Sequence, residues 1–400
     1  MRMMKMEKYR LPAVIFFVLT LFTCIDPYTQ QTGRYKPALV VDALLTDESQ
    51  PAVVRLSRSR KSASDSTQMV SGAYVTITDD FGNTTILNET GNGIYITDTL
   101  SFRAAAGRTY SLYIKTAEGE EYRSESCPMY PAQEPDSIFY LPAQVIEDNK
   151  IYNGIRIYAA SKPSSGCEYC RWTFDEWWKI RASNPREYNY VNDSTFTPYT
   201  PVRQTCWSHH TSSDIILRSS EDASSVPVTF IAGEKSPRLL LQYCIEVKQL
   251  SLSAREYEYW NQMSQIEKSG GDIFDRQPSK VSGNINCLSN PGETVLGYFQ
   301  VSAVKIKRKY ITYNDAERLG IAHYEYPCTT FMVGLNDFPG SPGSMTFDKI
   351  YWLYTNKGYI FVKPLFTMSG DLVRLEFETD ICADCTLSGS FTKPEFWVDL

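Results

Sequence analysis

Between residues 38 and 126 the chain is cut into short β-prone runs, separated by polar or glycine-containing breaks at regular intervals. ALVVDALLT, AVVRLSRSR, AYVTITDD, TTILNET, GIYITDT and TYSLYIKT succeed one another, and DDFGN (79–83) and AEGEE (117–121) read as hairpin connections. In TYSLYIKT, Tyr110, Leu112 and Ile114 fall on one face of an extended chain, while Ser111 and Lys115 fall on the other. About seven such strands in under a hundred residues predict an N-terminal immunoglobulin-like β-sandwich over 38–126.

The segment CPMYPAQEPDS (127–137), with three prolines, reads as a linker to a larger β-rich domain over 138–400. Its strands are longer: GIRIYAA, YCRWTFDEWWKI, SDIILRSS, PVTFI and RLLLQYCIEVKQLSLS. One helix is expected near 253–268, because Ser253 and Glu256 form a capping box in which each satisfies an orphan backbone N–H. Tyr257, Trp260, Ser264 and Glu267 share one stripe of it, beside Tyr259, Met263 and Ile266, so the aromatic face is the one expected to be buried. Gly270-Gly271 supplies its stop. VLGYFQVSAVKIKRKYITY, TTFMVGL, KIYWLYTN, YIFVKPLF and VRLEFETD then read as strands, with QPSKVSGN and DFPGSPGS as loops. The 27 Tyr, 19 Phe and 7 Trp favour the same mainly β class.

The first residues carry an address. MRMMKMEKYR has four basic side chains, and an apolar run follows from Leu11 to Phe22. That is the layout of a secretory signal over 1–23, too short for a bilayer, which needs about 20 apolar residues. Leu21-Phe22-Thr23-Cys24 resembles a lipobox, with Phe22 and Thr23 bulkier than the commonest residues there. Cys24 is then the expected lipidation site, and the polar segment 24–37 a flexible tether to a membrane.

A lipidated Cys24 leaves nine of the ten cysteines, so one thiol stays out of any set of bridges. Candidate disulfides are Cys382–Cys385 as a small local loop, Cys287–Cys328 as a longer bridge, and Cys170–Cys244 as a staple between strand-like runs. The two CxxC pairs, 167/170 and 382/385, stand more than 200 residues apart, unlike the short separation of a zinc ribbon, so no metal is expected. His209-His210 reads as a polar loop, and adjacent histidines seldom share a metal. Of the aromatic group Trp172, Trp177, Trp178 and Trp207, the last three are candidate binding aromatics, although core packing is the commoner use of such rings. No G-x-S-x-G, H-E-x-x-H or P-loop motif occurs, and nothing calls for a cofactor. A net charge of −6 without a basic block argues against nucleic acid.

Three stretches carry a family resemblance: LVVDALLTDESQPAVVRLSRS with VSGAYVTITDDFGN; YWNQMSQIEKSGGDIFDRQPSKVSGNINCLSNPGETVLGYFQVSAV; and the ending CADCTLSGSFTKPEFW. Together with the leader they resemble the Bacteroidota lipoprotein family catalogued as domain of unknown function 4249, over nearly the whole mature chain. The resemblance implies a cell-envelope lipoprotein associated with a TonB-dependent outer-membrane transporter, and brings no catalytic residues with it. The expectation is a non-catalytic accessory or binding module, held to the outer membrane by its lipid. The alternative is a surface glycan-binding protein or a hydrolase acting on glycans or peptides.

Overall fold

The computed structural model describes residues 37–62, 64–98, 102–161, 168–220, 222, 224–268, 281–338 and 345–400. The signal segment, most of the tether with Cys24, Cys167, the Gly270-Gly271 stop and parts of the two long loops lie outside them. By internal contacts the chain divides into Met1–Pro37 with Arg60–Ser66, and Ala38–Ser59 with Thr67–Leu400. The described part of the first unit is an exposed turn in which the Asp65 carboxylate accepts from the Ser62 amide at 2.9 Å.

The fold is mainly β. The N-terminal strands form one sheet, curled nearly closed, in the order Ile285–Cys287, Glu121–Ser124, Thr109–Lys115, Tyr74–Asp79, Thr84–Gly91, Ile94–Ile96, Val53–Arg58, Leu39–Thr46, Val295–Ser302. Alternation decides what it encloses: Leu39, Val41, Ala43 and Leu45 point inward to meet Tyr110, Leu112 and Ile114 from the facing strand. DDFGN and AEGEE are hairpin turns, with Gly82 and Gly119 at φ 84° and 90°.

Two segments from far along the sequence complete this sheet. Ile285–Cys287 pairs with Glu121–Ser124, and Val295–Ser302 lies parallel to Leu39–Thr46. The run VLGYFQVSAVKIKRKYITY is therefore two strands rather than one. It parts at Ala303, where Ser251 bonds both the amide and the carbonyl, and continues as Val304–Thr312 in a second sheet.

That second sheet runs Thr205–Thr211, Tyr169–Arg181, Gln242–Leu252, Val304–Thr312, with Ile216–Ser219 also on Tyr169–Arg181. Its inner face packs Trp172, Phe174, Ile245 and Val247 against Ile155 and Ile157 of the three-stranded sheet Ser137–Glu147, Lys150–Ala160, Ser225–Ala232. Trp172 is fully buried and its Nε1 donates to Gln249 Oε1 at 2.9 Å, so the indole contributes about 3 kcal/mol of burial without stranding its N–H.

The helix Ala254–Lys268 starts as its capping box requires: Glu256 Oε2 accepts from the Ser253 amide at 2.7 Å, and Ser253 Oγ accepts from the Glu256 amide at 3.2 Å. A C-terminal layer follows, in which Phe331–Val333, Leu372–Thr379 and Tyr359–Phe366 pack on the helix Phe347–Thr355. KIYWLYTN, read as a strand, belongs to that helix. Its aromatic content favours strands, but Thr346 caps Lys349 N at 3.2 Å, and Ile350 and Phe347 fall on the buried face at helical spacing.

The cysteine pairing also differs from expectation. Cys385 bridges Cys206, and Cys382 bridges Cys328. Cys382 and Cys385 thus diverge to different neighbours instead of closing on each other. Cys170 and Cys244 sit on paired strands, but Cys170 is opposite Ser251 and Cys244 opposite Trp177. Seven residues of register at about 3.3 Å each keep them apart. Cys287 lies in the N-terminal core, away from Cys328. Cys127, Cys244 and Cys287 are buried and stand outside the disulfides found among the described residues.

Candidate functional site

The outward faces of the two large sheets meet across a cleft of about 630 Å³. Pleating selects its walls. In Leu39–Thr46 the odd positions are in the core, which leaves Val40, Asp42, Leu44 and Thr46 for the cleft. Tyr298 and Gln300 stand beside Asp42 and Leu44 in the parallel register. In Tyr169–Arg181 the even positions through Glu176 are buried, so Arg171, Thr173 and Asp175 face the cleft from the opposite side, with Lys248 and Leu250 across the strand pair. The helix Ala254–Lys268 closes one end with Tyr259, Trp260 and Met263.

Gly297 permits this arrangement. Its φ is +91°, and a Cβ there would lie 1.9 Å from the Val41 carbonyl oxygen, so only glycine lets the two parallel strands approach. Glu256 fixes the helix. Besides its capping bond, its Oε1 accepts from the Val301 amide at 2.9 Å, which ties the helix start to the cleft-lining strand. Burial pushes this carboxyl up to about 7 against the pull of its hydrogen bonds to Ser253 and Val301.

Charge in the cleft is divided between two ends. At one, Lys248 Nζ is 3.8 Å from Asp175, 3.8 Å from Glu246 and 3.9 Å from Glu48. Asp175 also accepts from Thr211 Oγ1 at 2.6 Å and lies 3.2 Å from His209 Nε2, while Glu246 takes Arg308 Nε at 2.6 Å. Burial raises the Glu48 carboxyl above its ordinary value, and Lys248 pulls it back. At the other end Arg171 lies 3.7 Å over the Trp260 ring, and its Nη1 donates to Gln300 Oε1 at 3.3 Å. Between them Asp42 pairs with Arg55 at 3.2 Å.

The aromatic candidates are distributed differently. Trp177 stacks on His209 with centroids 4.6 Å apart and meets the edge of Phe396 at 4.7 Å. Trp178 turns to the opposite side, under Arg238 at 5.2 Å. Trp207 packs edge-on to Trp397 at 6.4 Å, and its backbone pairs with Ser390. The three rings do not form one platform. His209 and His210 sit in the strand Thr205–Thr211, not in a loop, and each faces a carboxylate on the neighbouring strand, Asp175 and Glu176 respectively. Among the described residues no cluster of metal-ligating side chains occurs. The buried thiols Cys127 and Cys244 are each pushed up to about 12 by desolvation, which leaves them protonated and unreactive.

Arg171, Lys248 and the cleft itself were not singled out in the sequence. The available signal was a charged residue at alternate positions of otherwise apolar strands, which marks a second, polar face of the sheet.

A family described as a domain of unknown function (DUF4249) matches residues 25–308. That span includes every residue that lines the cleft, from Val40 to Val304. No curated protein matches the chain.

Proposed function

The chain belongs to the family of domain of unknown function DUF4249, and from that premise we propose that it is a lipid-tethered, non-catalytic binding module of the Bacteroidota cell envelope, working beside a TonB-dependent outer-membrane transporter. The observation that carries the binding role is the cleft. Its volume falls in the range of small-molecule sites, and it joins an aromatic wall to fixed charges.

The tether rests on the leader and on Cys24, and the family match begins one residue after that cysteine. The disulfides Cys206–Cys385 and Cys328–Cys382 support an oxidising compartment, since such bonds persist outside the cytosol. Holding the body at a membrane raises its effective concentration near a membrane partner, so modest contact affinity suffices there.

Mild crosslinking in envelope membranes followed by pull-down tests this reading. A transporter barrel is expected with the wild-type chain and is expected to be lost with Cys24→Ala. Equal recovery from both chains, or no barrel from either, would count against it.

A further inference from the structure

Arg171 is the one cation of the cleft wall with no carboxylate at ion-pair distance among the described residues. Lys248 has three and Arg55 has Asp42. A guanidinium carries five N–H donors. Among the described residues only one of those on Arg171 meets an acceptor, Gln300 Oε1, and its Nε is buried with no hydrogen-bond partner. The flat side of the group is already used, lying on Trp260. What lacks an acceptor among the described residues is the rest of the edge, and an edge is the part that takes a carboxylate through two parallel bonds. Burial lowers its pKa to about 10 while the charge of Asp42, itself paired with Arg55, pulls the other way, so the group is still charged at neutral pH and bears a desolvation cost that no direct ion pair among the described residues offsets.

We propose that this end of the cleft is a carboxylate subsite, in which Arg171 receives the carboxylate of a small ligand whose body lies along the Trp260 and Tyr298 rings. The rest of the cleft defines the class further. Asp42 stands between the two ends, and Glu48, Asp175 and Glu246 crowd the far one around a single lysine. That arrangement accepts one localised negative charge and repels a polyanion along its length. Oligosaccharides ending in a single uronic acid and peptides with a free C-terminus share the required chemistry. The Tyr259 and Tyr298 rings, 4.5 Å apart, offer either of them an aromatic wall.

The inference rests on the binding reading above, but its test does not involve the tether or a membrane partner, so either can fail alone. Calorimetry on the purified full-length chain would compare two pairs of probes: a disaccharide bearing a single terminal glucuronic acid with its methyl ester, and a tripeptide with its C-terminal amide. One acid is expected to bind at least tenfold more tightly than its uncharged twin, and Arg171→Gln is expected to abolish the difference. The pair that responds identifies the source of the carboxylate. If acid and uncharged twin bind equally, if no probe binds, or if Arg171→Gln keeps the preference, the assignment is overturned; equal binding would leave the cleft as a binding site and remove only its charge selectivity.

A second measurement separates ligand recognition from support of the fold. Without ligand, Arg171→Met is expected to melt above wild type, because a buried unpaired charge has been replaced by an apolar chain of similar length. A lower melting temperature would make Arg171 a structural residue and overturn the proposal.

Discussion

Glu256 gives the cleft a pH-dependent hinge pin, and its titration can be isolated by one substitution. The carboxyl is buried, caps its own helix through Ser253 and holds Val301 of the cleft-lining strand. Burial moves it from its ordinary 4.5 to about 7. In the unfolded chain the group loses its proton near pH 4.5, whereas in the folded chain it keeps the proton until about pH 7. The folded state therefore binds more protons between those values, and stability falls as pH rises through the window. The stabilisation is complete below pH 4.5 and gone above pH 7. Its size follows from the displacement, at about 1.4 kcal/mol per pH unit, and is about 3 kcal/mol. Glu256→Gln cannot titrate. Urea unfolding followed by tryptophan fluorescence at pH 4.5, 5.5, 6.5 and 8 is expected to show the wild-type chain losing about 3 kcal/mol relative to the variant across the series. Every other titrating group is common to both chains and cancels in that difference. Parallel pH curves for the two proteins would refute the reasoning.

Two further perturbations test how the cleft is framed. Removing the Cys206–Cys385 bridge with Cys206→Ser and Cys385→Ser reopens a loop with a sequence separation of 179, for which chain entropy gives an upper figure of about 5 kcal/mol; the urea midpoint of the double variant is expected to fall accordingly, and reductant, which also opens Cys328–Cys382, is expected to lower the wild-type midpoint at least as far. Gly297→Ala sets a methyl group against the Val41 carbonyl and is expected to destabilise by about 3 kcal/mol or more, with hydrogen exchange accelerated first in Leu39–Thr46 and Val295–Ser302; unchanged exchange there would mean that the parallel pairing is not what holds this wall.

Much of the local structure was legible in the sequence because its causes are local. Alternation placed Tyr110, Leu112 and Ile114 on one face, and all three are buried in the N-terminal core. The Ser253–Glu256 pair marked the helix start to within a residue. What could not be read depends on contacts between distant segments. Nothing near Leu39–Thr46 announces that Val295–Ser302 will lie alongside it, and nothing in the CxxC of 382 and 385 announces that its two thiols diverge to Cys328 and Cys206. The cleft belongs to this second kind. Alternation says that Arg171, Thr173 and Asp175 share a face, but not that the face opposes Asp42 and Gln300 from another sheet. The helix Phe347–Thr355 was hidden for a different reason: its Tyr and Trp residues favour strands, and the short threonine cap outweighs them once Phe347 and Ile350 have a core to enter.

Intact mass spectrometry of material taken from native membranes tests the tethered module most directly. A chain beginning at Cys24 with acyl groups on its sulfur is the result the account predicts. A chain that still begins at Met1, or one with an unmodified thiol at position 24, would contradict it.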